Sequence, residues 1–557
     1  MSRGGCKLAI LIGVCSLPLL TGCSPQDLSS STALEPHTEG GPPQMRRLTE
    51  DQYRQSIADI FGHDIVVGGR FEPELRMNGL LAVGTNEVTI TRTGFEQYDT
   101  MARAIAAQVL DTEQRGTSVP CTPKSISEPD TACATQFITE IGRKILRRPV
   151  SDNILQNKLE MATAATRNTK DFYAGLEYAL AGLLVSPEFL FRVDVAVPDV
   201  AKPSHSQLDA YSKATRLSFL LWNTTPDDEL LDAAESGALD THDGLTRQVD
   251  RLLTSPRIED GVRTFFSDFL GFEAFDLLEK DPLIYPAFNN RMLVDAKEQT
   301  LKVIVDLLVN QHGDYRDLFT TRRTFMTRTL GVAYDLPVRP EQGWEIQEFP
   351  EGDPRAGILT HLSFTALYSH PGRSSATLRG KAVREQLLCQ PVPPPPNDVN
   401  FTIVQETDNP NYRTARERLT AHRENPVCAG CHKIVDPIGL ALEKFDGLGQ
   451  LRTRENGAAI DVSGELDGID FEDAAGLGQA LHDNPKTATC LVNSLYRYAA
   501  GRVAQPNEEE WLAYLDDQFA RDGYRILDLL RRIAVSDAFY ALDDTETSPT
   551  LEAFNDG

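Results

Sequence analysis

Cys428-Ala429-Gly430-Cys431-His432 decides how the last third of this 557-residue chain is read. C-x-x-C-H is the attachment pattern of c-type haem, in which two thiols bond the porphyrin vinyl groups and the adjacent imidazole reaches the iron. Zinc needs further ligands at compatible spacing, and no second C-x-x-C exists in the chain. A redox disulfide is the other chemistry open to the motif. The pattern therefore predicts one covalent haem c, with Cys428 and Cys431 as its thioether sites and His432 as the proximal iron ligand.

What such an iron does depends on its far side. Small c-type cytochromes usually supply a Met downstream of the motif, but the last Met here is Met326, well upstream, so that ligand order is excluded. His370, in Ser369-His370-Pro371, is the candidate distal ligand. His361, His422 and His482 follow it, and His422 stands only ten residues before His432, on the same side of the iron. Around the site, Asp436 or the carbonyl of Pro437 is expected to receive the other ring N–H of His432. Arg452, and after it Arg454, is expected to neutralise a haem propionate. An ordinary surface or capping role is the alternative for each of these side chains.

The first residues point to export. Arg3 and Lys7 precede an apolar run from residue 8 to residue 20, too short to span a bilayer, and Leu20-Thr21-Gly22-Cys23 closes it. That ending resembles a bacterial lipoprotein box, which implies cleavage before Cys23, lipid on Cys23, and a flexible tether rich in Ser, Pro and Gly up to residue 45. A cleaved signal without lipid is the alternative. Of nine cysteines, Cys121, Cys133, Cys389 and Cys490 remain after the signal, lipid and haem positions are removed. An even remainder in an exported protein suggests two disulfides. Three pairings are open, of which Cys121 with Cys133 and Cys389 with Cys490 is favoured.

A net charge of −26 and a pI near 4.8 argue against nucleic acid, which needs basic patches. The same charge would steer a basic redox partner protein towards the surface. Thr49 with Gln52 forms a capping box ahead of Tyr53, Ile57, Ile60 and Phe61. Further helical periodicity runs through residues 136–146, 172–184, 207–221, 261–270 and 295–309. Strand alternation is scarce, the clearest hairpin being 451–454 and 459–462 around Asn456-Gly457. The expected fold class is mainly α, successive helical bundles with a C-terminal c-type haem module and a small β-hairpin. The segments are a signal peptide (1–22), a tether (23–45), an N-terminal helical domain (46–115) and a helical domain with a local disulfide (116–200). A central helical domain (201–340), a connecting segment with the proline tract Pro391-Val392-Pro393-Pro394-Pro395-Pro396 (341–400), the haem module (401–475) and a C-terminal helical domain (476–557) complete the chain. No G-x-S-x-G, H-E-x-x-H, Walker loop or G-x-G-x-x-G occurs, so no other catalytic motif competes with the haem.

Several weak motifs, taken in order, carry a resemblance. They include Arg47-Leu48-Thr49 with Gln52-Tyr53, Arg147-Arg148-Pro149, and Arg216-Leu217-Ser218-Phe219-Leu220-Leu221-Trp222 with Pro226-Asp227-Asp228-Glu229-Leu230. Gly357-Ile358-Leu359-Thr360, Ser369-His370-Pro371 and Arg379-Gly380-Lys381 follow, then Asp436-Pro437-Ile438-Gly439 and Leu495-Tyr496-Arg497-Tyr498-Ala499. Together they resemble the large exported cytochrome-c-like proteins of planctomycete and myxobacterial type, assembled from adjoining domains of unknown function. The resemblance implies a single haem module without a settled activity. Three functions stay open. The leading one is a lipid-anchored, single-haem electron-transfer protein of the cell envelope. The others are a haem-dependent oxidoreductase acting on peroxide, dioxygen or an organic substrate, and an envelope scaffold with structural haem.

Overall fold

Thr49 accepts a hydrogen bond from the Gln52 backbone N–H while the Gln52 side chain accepts one from the Thr49 N–H, and this capping box opens the first helix, Glu50–Phe61. The computed structural model describes residues 34–199, 205–394 and 402–543. The expected lipid site, Cys23, and the signal lie outside the described residues. The chain is mainly helical with small antiparallel pairings. Among the described residues no helix is long and apolar enough to cross a membrane.

The helices Arg92–Val109, Thr131–Leu146, Asp152–Thr169 and Phe172–Leu184 join the first one around a single apolar core. Tyr53, Ile57, Tyr98, Ile105, Phe137, Leu176 and Phe189 fill it. Residues from the expected segments 46–115 and 116–200 thus bury one another. A second and larger core draws on 208 to 542 and takes in Leu80, Ala82 and Val83 from the N-terminal part. Phe265, Phe269 and Tyr498 meet there, two of them stacked and one edge-on. From His37 onward the described residues form one compact unit.

Short strands close this unit. Ser206–Leu208 lies between Ala196–Pro198 and Ala541–Leu542, with Gln207 opposite both Val197 and Ala541. Gly41 bridges Leu542, and the Arg46 guanidinium donates to the Ala499 carbonyl at 2.9 Å. Both expected disulfides are present, Cys121–Cys133 and Cys389–Cys490. The hairpin at Asn456-Gly457 is also present but shorter than the expected strands, pairing Arg454–Glu455 with Ala458–Ala459. Both turn residues take positive φ, 47° and 76°, the conformation that this dipeptide favours.

Candidate functional site

The helix Pro426–Leu440 carries the C-x-x-C-H motif in its first two turns. Asn425 caps it by accepting from the Val427 N–H, and Pro426 at the first helical position gives up only a donor that the helix end leaves unused. Residues three and four apart share a helix face, so Cys428, Cys431 and His432 are turned to one side. That side borders a cavity of about 380 Å³, which all three line. Small-molecule sites span roughly 300–1,000 Å³. Cys428 is 6% exposed, and neither thiol is in a disulfide.

One further turn along the helix, Asp436 faces His432. The His432 Nδ1 lies 2.9 Å from one Asp436 oxygen and 3.1 Å from the other. Asp436, fully buried, also accepts from the Thr377 hydroxyl at 2.9 Å. With Nδ1 engaged, Nε2 is the ring nitrogen left for a ligand. Of the two partners expected for His432, the carboxylate is therefore the one in place. Pro437 sits inside the same helix and lines a separate open groove with Arg416, Gly464 and Phe471.

Other elements complete the cavity wall. The helix Ala415–His422 opens on a Thr414/Glu417 capping box and presents Arg418, Leu419 and His422. His422 packs edge-to-face on His432, ring centres 4.8 Å apart. Burial, and then the neighbouring His432, hold the His422 imidazole below its ordinary pKa. The strands Ser369–His370 and Arg373–Ser374 form a tight hairpin whose His370, Arg373 and Ser374 line the cavity. Burial lowers the His370 pKa, with Arg373 and Lys280 adding to it. Val392 and Pro393 of the proline tract form part of the wall beside Cys431.

Buried polar side chains hold these pieces in register. Arg379, with no exposed surface, donates to four backbone carbonyls, those of Thr365, Leu442, Phe445 and Asp446. The Lys280 ammonium donates to the Ala366 carbonyl at 2.8 Å and to Ser369 and the His370 carbonyl, tying the hairpin to the preceding domain. Burial pushes Lys280 down to about 7, with the like charge of Arg379 adding to it. The helix Ala376–Ala382 crosses the motif helix at close range. A Cβ on Gly380 would stand 1.9 Å from the Val435 carbonyl oxygen, and one on Gly439 1.7 Å from that of Ala376.

Of the side chains singled out from sequence, Cys428, Cys431, His432, His370 and His422 share this cavity. Arg452 does not line it: its guanidinium is bonded to the Glu443 carboxylate and the Ser374 hydroxyl, both at 2.8 Å. Arg454 is exposed and donates to the Gly457 carbonyl. His361 is buried elsewhere against Thr300, and His482 pairs with Asp483 near the surface. Met326 is core packing. Arg373, Lys381 and Arg418 on the cavity wall were not singled out as cavity side chains, because no local pattern brings three separate segments to one wall. Among the described residues, no group of three or more His, Cys, Asp or Glu is arranged to hold a metal ion by itself.

Comparison with domain families matches most of the described chain. The matches, each to a protein of unknown function, are DUF1587 over residues 46–111, DUF1595 over 133–194, DUF1592 over 208–336, DUF1588 over 355–455 and DUF1585 over 467–539. The search of curated proteins and the search of solved structures each found no match. The cavity and its C-x-x-C-H helix fall within the DUF1588 match. The chain thus carries, adjacent and in series, the five domains of unknown function of the planctomycete cytochrome-like type.

Proposed function

We propose that this protein is a single-haem c-type cytochrome-like protein of the cell envelope, anchored by lipid on Cys23, that accepts and donates one electron. The observation that carries this reading is the donor set on one cavity: two free thiols three residues apart, an adjacent imidazole whose Nδ1 is held by a buried carboxylate, and a second imidazole, His370, lining the same cavity. These residues fit the group that the motif implies. Cys428 and Cys431 would hold haem c through thioether bonds, His432 would ligate the iron through Nε2, and His370 is the candidate on the other side. Haem so held supplies a one-electron couple.

The protein's own part is to place and insulate. Asp436 fixes the orientation and tautomer of His432, and Val392, Val404, Leu419, Val427 and Val435 give the cavity an apolar lining. The net charge of −26 favours encounter with a basic redox partner. The test is the mature protein from a host competent in c-type maturation. The expected product retains the porphyrin mass after denaturation, its ferric spectrum is low-spin and indifferent to cyanide, and its ferrous spectrum is indifferent to CO. His370→Ala should convert the ferric spectrum to high-spin and open the ferric iron to cyanide and the ferrous iron to CO. Colourless protein without added mass overturns the reading, and a wild type that is already high-spin and binds cyanide replaces electron transfer with the oxidoreductase alternative.

A further inference from the structure

In a chain of net charge −26, the described wall of the cavity contains no Asp or Glu at all. It does contain three permanent cations, Arg373, Lys381 and Arg418. Two of them are engaged: Lys381 pairs with Glu385, and Arg418 pairs with Glu455 while donating to the Tyr412 and Arg413 carbonyls. Arg373 makes no side-chain hydrogen bond or ion pair with any described residue, although it is half-buried in the hairpin. Of the nearby carboxylates, Glu455 bonds Arg418 and the Ala415 N–H, and Glu443 bonds Ser374 and Arg452 through one oxygen while its other lies 3.8 Å from Arg379. Burial, and then the like charge of Arg418, lower the Arg373 pKa. The opposite charge of a carboxylate entering the cavity would offset both effects.

We propose that Arg373 is the side chain that receives a carboxylate inside this cavity, namely a propionate of the haem. The inference rests on the haem reading above and replaces Arg452, which is bound to Glu443, in that role. The chemistry is specific: a flat apolar body would meet Val404, Leu419 and Val435, and its acid end would meet Arg373, whose guanidinium has no hydrogen-bond or ion-pair partner among the described residues.

The experiment compares the wild type with Arg373→Gln, Arg373→Lys and, as a surface control of equal charge change, Arg454→Gln. All are matured with haem and titrated for midpoint potential from about pH 5 to 8. Arg373→Gln leaves a propionate uncompensated, which favours the ferric state. Its midpoint is expected to fall by about a tenfold change in the one-electron equilibrium, about 59 mV. It should also decline further as pH rises and the released carboxylate ionises, whereas the wild type stays flat. Arg373→Lys should recover part of the loss, and Arg454→Gln should match the wild type. Haem-loaded Arg373→Gln with a wild-type midpoint and pH profile overturns this inference and leaves the haem reading intact. Should that variant fail to mature, a carboxylate titration in the wild-type profile itself overturns it. A wild type without covalent haem removes both.

Discussion

Asp436 is an ionisable side chain with no solvent contact, a position tenable only where hydrogen bonds replace water. It has two such partners, the His432 ring and the Thr377 hydroxyl. A carboxylate behind a ligating imidazole raises its basicity and stabilises the oxidised metal. Asp436→Asn is therefore expected to raise the midpoint potential of the haem-loaded protein, and redox titration of the variant checks the direction. An unchanged or lowered midpoint would mean that Asp436 only packs. At this scale the sequence was legible wherever the partners lie on one helix: Cys428, Cys431 and His432 share a face by three- and four-residue spacing, and Asp436 was one of the two partners expected for His432. It was illegible for the arginines. Arg452 and Arg373 are both basic residues near the motif, and only the tertiary placement of Glu443 and Ser374 separates a structural arginine from one facing the cavity.

At the scale of elements, the crossing of Ala376–Ala382 over Pro426–Leu440 fixes the floor of the site. It relies on two glycines whose missing side chains let backbone approach backbone. Gly439→Ala inserts a methyl group where the Ala376 carbonyl already stands, and overpacking of this kind costs about 1–3 kcal/mol. The expected outcome is a lower denaturant midpoint and a displaced motif helix, read by urea unfolding and by the yield of covalent haem. Helices with strong periodicity and clear stops were readable: residues 172–184 form Phe172–Leu184 as expected, because Asp171 caps the start and Ser186-Pro187 ends the run. The 207–221 pattern proved to be two elements, a strand Ser206–Leu208 and a helix Ala210–Leu221 capped by Asp209. The strand exists because residues 541–542 arrive beside it, and no local signal announces a partner so distant. The 295–309 run starts earlier, at Asn290, and widens into a π-helical turn at Asp306–Asn310, since Asn289 supplies a cap that periodicity alone does not weigh.

For the whole molecule, the large core encloses a histidine that it keeps neutral. His361 is bonded to the Thr300 hydroxyl at 2.9 Å, and burial pushes its pKa from 6.5 down to about 3. The unfolded imidazole takes up a proton near 6.5 and the folded one only near 3, so acid favours the unfolded chain. The stability at stake is full above about pH 6.5 and is lost progressively towards pH 3, at about 1.4 kcal/mol per pH unit. Urea midpoints measured at several pH values should show this slope in the wild type. In His361→Gln the slope should be shallower by that amount, and equal slopes would contradict the assignment. Helical periodicity gave the helical class and composition the net negative charge, while the merging of distant segments into two cores is a tertiary outcome that no window along the chain contains.

The clasp of Ala541–Leu542 onto Ser206–Leu208, with Gly41 bridging the same end, bears on how the molecule is made. Contacts between segments far apart in sequence form late, because every intervening residue must first be synthesised and gathered in. A nascent polypeptide in which residues 541–542 have yet to appear would leave Ser206–Leu208 paired on one side only, with Ala196–Pro198, and Gly41 without its bridge. Closure of this small sheet is therefore a late event in biogenesis, after both cores have most of their residues.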